Sequence, residues 1–185
     1  MKIYKQKYID YDSIGYGEAN GWRGMYDWNK TKKIVNAGNI IILLVIVLVE
    51  ISLITKFNIN TFFLILSIVI YFILIIPIHE ILHLIAFSPN IFSDKCHIYI
   101  GFSAVSAFYD GEISRNKNLF SLLLPFIAIS IILGCLMIIA NSLLPYLLLL
   151  LLLNAAGSWT DVYMFFYLLK KLPKNSIAYG NRYKI

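Results

Sequence analysis

The sequence of 185 residues is too apolar to be a soluble protein of ordinary composition. Hydrophobic residues make up 59% of the chain and charged residues 14%, and its mean hydropathy is +0.74. Soluble domains have about 45–50% apolar and about 25% charged residues. The same composition excludes a disordered chain. Two cysteines are too few for a fold of this length that depends on disulfides. A small single-domain membrane protein with several spans remains.

The net charge of +6 is distributed as in a membrane protein. Fifteen of the sixteen Lys and Arg residues lie in residues 1–33, 88–118 and 170–185, and only Lys56 lies elsewhere. Basic residues concentrate on the cytoplasmic side of membrane proteins, so both termini and the long loop are expected to be cytoplasmic. The basic surface is expected to face anionic lipid, and nucleic acid is not an expected partner.

Four apolar runs are long enough to cross a bilayer, which takes about 20 residues. In chain order they are Ile34–Ile54, Thr61–Phe87, Leu119–Asn141 and Leu143–Leu169. The first run lacks the features of a removable signal peptide and is expected to be an uncleaved anchor. The predicted fold class is an all-α membrane protein with four transmembrane helices. The predicted parts are a cytoplasmic juxtamembrane segment, a four-span membrane domain and a basic cytoplasmic tail, at residues 1–33, 34–169 and 170–185.

The long loop between the second and third runs contains a strand-like segment. Residues 97–108 read HIYIGFSAVSAF, which is rich in aromatic and β-branched residues. Asp110 and Gly111 follow as a turn signal. We expect a small cytoplasmic β-hairpin or bent strand over Cys96–Ser114, and an irregular loop is the alternative.

The second run ends in HEILH at residues 79–83, an H-E-x-x-H motif. On a helix, positions i and i+4 face the same way about 6 Å apart along the axis, so His79 and His83 can bind one zinc ion. Glu80 is offset by about 100° and can accept a proton from a water beside the metal. In the alternative, the histidines donate to backbone carbonyls. That alternative leaves three costly ionisable groups inside a span without a common partner.

For two further residues of the spans, the sequence allows two interpretations each. Pro77 removes a backbone hydrogen bond two residues before His79. The resulting kink either makes room for water or substrate or is an ordinary tolerated membrane proline. Glu50 lies near the outer end of the first run. It either relays protons or binds substrate, or it extends its carboxylate to the interface.

The fourth run offers a third zinc ligand, Asp161. His79 and Asp161 lie at the same distance, eight residues, from the predicted cytoplasmic ends of their spans. Both groups are therefore expected about 12 Å below the cytoplasmic edge of the bundle. A carboxylate that caps the helix or is solvated at its end is the alternative.

Polar and small residues share the helix face of Asp161. On a helical wheel Asn154, Gly157, Ser158 and Asp161 fall within about 100°, and such a face should turn away from lipid. Gly157 is expected to let two helices approach closely. Asn154 is expected to contact the substrate or the oxyanion, and Ser158 is expected to support the ligands. Helix–helix hydrogen bonding is the alternative for both side chains.

These motifs resemble those of known proteins. An H-E-x-x-H motif on one span with an Asp on a later span looks like the site-2 protease class of intramembrane zinc metalloproteases. HEILH, the following PFIAIS and the later NAAGSWTD are similar to motifs of a small bacterial family described as putative zincin peptidases. The resemblance covers about residues 72–168. It implies a membrane-buried zinc held by His79, His83 and Asp161, with Glu80 as the catalytic residue.

The resemblance also implies how a substrate is presented. Members of the site-2 protease class often hold the substrate along a β-strand edge near the active site, which fits a hairpin over Cys96–Ser114. In that class the Asp is usually followed directly by Gly, whereas Asp161 is followed by Val162.

The sequence therefore predicts an intramembrane zinc metalloprotease of a bacterial cell membrane. It would hydrolyse a peptide bond of a membrane-embedded or membrane-proximal protein near the cytoplasmic side. Its partners would be that protein or peptide substrate and the lipid bilayer, and its cofactor Zn²⁺, although the ligands alone do not exclude iron or cobalt. The main alternative is a non-enzymatic, metal-stabilised subunit that binds a partner in immunity, signalling or export. A transporter is less favoured because the sequence has no internal repeat.

Overall fold

The fold is that of a computed structural model of the chain. The structure describes residues 2–5, 14–57, 60–101 and 105–185, without the side chains of residues 2–5, 28, 50, 53, 54 and 57. The predicted roles of the Glu50 side chain therefore lie outside the described residues, as does the tip of the predicted hairpin.

Six α-helices account for most of the described residues. They are α1 (Trp28–Phe57), α2 (Thr61–Ile70), α3 (Ile76–Phe87), α4 (Arg115–Ile139), α5 (Leu144–Gly157) and α6 (Trp159–Lys171). A π-helical turn (Tyr71–Ile75) joins α2 to α3, and 3₁₀ turns occur at Glu18–Asn20 and Asn141–Leu143. Among the residues that the structure describes, three stretches of helix are long and apolar enough to cross a membrane, or four if the bent pair of α5 and α6 counts as one span.

The second predicted span has the expected bounds, Thr61–Phe87, but it is not regular throughout. Its π-helical turn lies directly before Pro77, where the Ile76 N–H donates to the carbonyl of Tyr71. A proline ring clashes with the carbonyl four residues earlier and has no N–H to donate, which explains a widened turn at this place. The irregularity therefore lies on the N-terminal side of Pro77.

The fourth predicted span is not one straight helix, which corrects the expectation of a continuous run. The helices α5 and α6 meet at an angle of 44° next to Ser158. Glycine is a poor helix former, and a serine hydroxyl competes for backbone hydrogen bonds, so Gly157-Ser158 is a weak point in the helix. A single helical wheel over residues 154–161 therefore does not describe this segment.

Two small β-sheets correct the expectation of an all-α protein with a single β-hairpin. The strands are β1 (Lys2–Lys5), β2 (Arg23–Gly24), β3 (Cys96–Ile100), β4 (Val105–Tyr109), β5 (Ile113–Ser114), β6 (Ile177–Tyr179) and β7 (Arg182–Lys184). The first sheet has the order β1-β3-β4, with β1 parallel and β4 antiparallel to β3. The second sheet has the order β2-β7-β6-β5 and is antiparallel. Because α1 and α4 begin near these strands and α3 and α6 end near them, both sheets lie at one end of the bundle.

The predicted β-hairpin is present, but its turn is not at Asp110 and Gly111. Strands β3 and β4 pair along their whole length, so the chain reverses between residues 100 and 105. Asp110 and Gly111 lead instead from the first sheet to the second, where β5 pairs with β6. The Tyr179 hydroxyl of β6 donates to Asp110 Oδ1 over 2.5 Å, and this bond holds the two sheets together.

Two apolar clusters hold the helices and sheets in place. One joins the second sheet to α4 and α6, and its buried members are Met25, Leu119, Met164, Leu168, Leu172, Ala178 and Tyr183. The other lies deeper in the bundle, and its members are Ile75, Ile129, Leu133, Leu147 and Leu150.

A close contact between α1 and α6 can be tested with glycine variants. A Cβ atom added to Gly38 would overlap the indole of Trp159, whereas one added to Gly134 would meet no atom within 4 Å. We expect Gly38→Ala to lower the free energy of unfolding by about 1–3 kcal/mol through overpacking. Gly134→Ala is the matched control and should raise it by up to about 1 kcal/mol through helix propensity. Thermal unfolding in detergent measures both, and an equal response of the two variants would contradict the packing of α1.

Candidate metal centre

Helix α3 presents its motif to the interior of the bundle. It packs against α4 on one side and against β4 on the other. Glu80 and His83 are buried, and His79 is half-buried. The motif residues therefore face protein, as polar groups in a span must.

The two histidines meet Asp161 at the start of α6. The Nε2 atoms of His79 and His83 lie 3.1 Å apart. Asp161 Oδ2 lies 3.0 Å from His79 Nε2 and 3.5 Å from His83 Nε2. The structure thus brings together three nitrogen and oxygen atoms from two helices, which we call the His-His-Asp triangle.

The edges of the His-His-Asp triangle fit a tetrahedral zinc ion. With metal–ligand bonds of about 2.0–2.2 Å, neighbouring ligand atoms of a tetrahedral site lie about 3.3 Å apart. All three observed separations are close to this value. Imidazole nitrogen and carboxylate oxygen are also the donor types that zinc takes in sites with a fourth position left open. The residues present therefore fit the metal that the motif predicts.

The backbone of α4 fixes the orientation of the His83 ring. His83 Nδ1 lies 2.9 Å from the carbonyl oxygen of Ser121, to which its N–H donates. A proton on Nδ1 leaves Nε2 with a free lone pair, which is the state that a metal ligand needs. Ser121 was missed by the sequence reasoning, because a contact through a main-chain carbonyl leaves no signal in residue type.

Glu80 lies next to the triangle but has a different partner. Ligand atoms of His79, Glu80 and His83 all lie within 4.8 Å of one another. However, Glu80 Oε2 accepts a hydrogen bond of 2.6 Å from the backbone N–H of Ala107 in β4. Asp161 is therefore the better third ligand, since its Oδ2 lies within 3.5 Å of both imidazole nitrogens and the Glu80 carboxylate is held at the sheet.

The Ala107 N–H points away from β3 and towards α3. The next ladder bond, from Asp110 N–H to the Lys95 carbonyl, shows that the even-numbered residues of β4 turn their backbone groups to β3. The odd-numbered residues turn theirs to the other edge. In the sheet order β1-β3-β4, that edge has no strand partner among the described residues. Glu80 thus binds to the open edge of the first sheet.

A cavity of about 440 Å³ surrounds the metal centre. Its lining includes the motif residues and Asp161, with Tyr71, Asn154, Gly157, Thr160 and the edge residues Val105–Ala107. A second cavity of similar volume shares the lining residues Phe87, Ser106, Ala107 and Leu122 with it and lies between the sheets. We call the two together the β4 groove, because β4 forms a wall of both.

The other predicted site residues lie on α5 and at its end. Asn154 is 1% exposed, and its Nδ2 donates to Ser130 Oγ over 3.1 Å and to the Phe126 carbonyl over 3.4 Å. Gly157 lines the cavity. The Ser158 hydroxyl is buried and has no hydrogen-bond partner in the described part of the chain. The structure therefore brings Asn154 and Gly157 to the cavity and leaves Ser158 out of its lining.

The comparisons with known proteins point to one family. The family model described as "Putative zincin peptidase" matches residues 72–177. This stretch runs from the π-helical turn to β6 and contains the HEILH motif, β4, Asn154 and Asp161. No match was found among curated proteins or among solved structures.

Removal of Asp161 tests the third ligand. We expect Asp161→Ala to bind zinc about 100-fold more weakly or worse than the unchanged protein, because only two protein ligands remain. The measurement is zinc per chain by elemental analysis after dialysis against a graded chelator series. Asp94→Asn, at an exposed position outside the cavity lining, is the control and should keep its zinc. An unchanged zinc content in Asp161→Ala would remove this residue from the site.

Proposed function

The chain belongs to the family described as putative zincin peptidases, and we propose that it is a zinc-dependent intramembrane peptidase of the site-2 protease type. One observation carries the proposal: the His-His-Asp triangle and Glu80 share one cavity between apolar helices. The substrate is a membrane-embedded or membrane-proximal protein, cleaved near the polar end of the bundle.

His79, His83 and Asp161 are the residues that would hold the zinc ion. When bound, zinc supplies Lewis acidity, which activates water and polarises a substrate carbonyl. The Nδ1–H bond of His83 to the Ser121 carbonyl keeps its Nε2 directed at the same point as the other two ligand atoms.

Glu80 is the proton carrier of the proposed reaction. It accepts a proton from the attacking water and returns it to the leaving amine. The Ala107 N–H holds one carboxylate oxygen, Oε2, which leaves Oε1 for the water. Because this donor belongs to the strand that lines the cavity, the carboxylate stays beside the place where a substrate strand would lie.

The open edge of β4 is the proposed docking site for the substrate chain. The carbonyls of a helical substrate are bonded within the helix, so the chain must unwind before hydrolysis. An extended chain can then replace some of those bonds by adding as a strand to this edge next to Ala107, whose own N–H is taken by Glu80. Strand β1 already occupies the opposite side of β3, and β4 borders the metal centre. This arrangement supports the substrate presentation expected from the resemblance to the site-2 protease class.

The proposed location is a bacterial cell membrane, with both termini cytoplasmic. The apolar helices support a membrane location by their length and composition. The two sheets lie at the end of the bundle to which the sequence assigns nearly all basic residues. Under the positive-inside rule, that end would be cytoplasmic.

Glu80→Gln separates a peptidase from a metal-stabilised binding subunit. We expect hydrolysis to fall at least about 100-fold, because glutamine cannot accept the proton. Zinc content should stay unchanged, because Glu80 is not a ligand. The measurements are cleavage of a library of quenched fluorescent peptides in detergent micelles and elemental analysis of the same samples. Undiminished cleavage by Glu80→Gln would refute Glu80 as the proton carrier.

Proline at the open edge tests the docking of an extended substrate. Val105 lies on β4, lines the cavity and, by its odd number in the ladder, turns its N–H to the open edge. Val105→Pro should raise KM about tenfold, since one ladder bond to the substrate is lost, and proline on such an edge is tolerated by the sheet. Val105→Ala keeps the N–H and is the control, with KM near that of the unchanged protein. If the two variants behave alike, strand addition is wrong.

A further inference from the structure

Tyr71 occupies a special place in the second span. It is the first residue of the π-helical turn, and single π turns within α-helices occur frequently at functional sites. Its ring packs against the deeper apolar cluster, and the residue lines the cavity of the metal centre. Tyr71 lies eight residues before His79, so it reaches the cavity from the membrane-buried side.

The Tyr71 hydroxyl touches the backbone of Gly157. A Cβ atom added to Gly157 would overlap the Tyr71 hydroxyl oxygen, so only glycine leaves room for it here. No described residue forms a hydrogen bond with this hydroxyl. Tyr71 is half-buried and lines the cavity, and tyrosine hydroxyls in largely apolar surroundings normally have a hydrogen-bond partner.

Asn154, which also lines this cavity, carries a second unpartnered polar atom. The Phe126 carbonyl accepts from the amide of Asn154, and since a carbonyl cannot donate, this contact identifies the amide nitrogen. The other end of the amide, Oδ1, is buried and has no hydrogen-bond partner in the described residues. Asn154 precedes Gly157 by three residues, which places both on neighbouring positions of α5.

Together the two atoms match the N–H and the C=O of one extended residue, which point to the same side of the chain. A tyrosine hydroxyl can donate to a carbonyl oxygen, and an amide oxygen can accept from an N–H. We propose that Tyr71 and Asn154 bind the backbone of the substrate on the membrane-buried side of the His-His-Asp triangle, with Tyr71 donating to a substrate carbonyl and Asn154 Oδ1 accepting a substrate N–H. This proposal rests on the proposed peptidase function and adds a residue, Tyr71, that the motifs do not contain.

Tyr71 and Asn154, which we call the substrate-binding pair, complement the edge of β4. A strand added to β4 is held on the sheet side of the cavity, whereas Tyr71 and Asn154 lie on the helical side. A substrate chain that leaves the bilayer would meet the pair first, at the point where its own helix must open. The pair then supplies hydrogen bonds that replace those lost from the unwinding turn.

The test measures peptide binding in a variant that is not expected to hydrolyse the peptide. In the Glu80→Gln background, Tyr71→Phe should weaken binding of an uncharged, fluorescently labelled apolar peptide about tenfold, because one hydrogen bond is lost and its acceptor stays buried. Anisotropy in detergent micelles gives Kd. Tyr146→Phe, which removes a hydroxyl from α5 outside the cavity lining, is the matched control and should bind as tightly as the parent. Zinc content should be the same in all three proteins.

A second pair of variants tests the contact itself and does not depend on any substrate. Gly157→Ala should lower the midpoint of thermal unfolding, since its methyl group overlaps the Tyr71 hydroxyl. Adding Tyr71→Phe should restore most of the loss, because the overlapping oxygen is gone. Absence of this rescue would place the hydroxyl elsewhere and overturn the proposal.

The outcomes distinguish this proposal from the proposed function. If Tyr71→Phe binds peptide as tightly as its parent while Glu80→Gln abolishes cleavage, the substrate-binding pair is wrong and the peptidase stands. If the unchanged protein holds zinc but neither binds nor cleaves any peptide, the peptidase is wrong and the pair falls with it.

Discussion

The fold depends on the meeting of three polar side chains inside an otherwise apolar bundle. His79 and His83 from α3 and Asp161 from α6 approach within 3.0–3.5 Å of one another. Polar and ionisable groups are costly beside lipid unless they have partners, so each of these groups constrains where the others lie. The bond from His83 to the Ser121 carbonyl extends the constraint to α4. Three of the helices that form the bundle are thereby fixed around one point.

The break between α5 and α6 and the first sheet complete that centre from two sides. A bend of 44° next to Ser158 turns α6 relative to α5, with Asp161 in the first turn after the bend. From the polar side, the Ala107 N–H of β4 holds Glu80. The proposed ligands therefore come from the helical part, whereas the orientation of the proposed proton carrier comes from a strand. Neither part alone would assemble the site.

The sequence could predict the parts of the site that depend on local spacing. The i and i+4 positions of His79 and His83 and the matching depth of Asp161 follow from regular helix geometry, and the structure brings the three together. The hairpin of β3 and β4 was predicted, but β1 and the second sheet were missed, because their strands have two to four residues and most pair with partners far away in the chain. The Ala107 contact uses a backbone group, which no residue type reveals. In the sequence, Tyr71 is one aromatic residue among many in an apolar run. Its importance depends on its contact with Gly157, which only the structure shows.

The β4 groove has a consequence for what happens after cleavage. In the proposed reaction one neutral amide becomes an ammonium group and a carboxylate, and neither charged terminus is stable in hydrocarbon. The two cavities share Ser106 and Ala107 as wall residues, so both new ends form next to the second cavity, which lies between the sheets. The released half would depart on this side of β4, while the apolar half would keep its anchor in the bilayer and draw its fresh terminus to the water interface. Expulsion of charge would thus drive the fragments apart and clear the enzyme for another turnover.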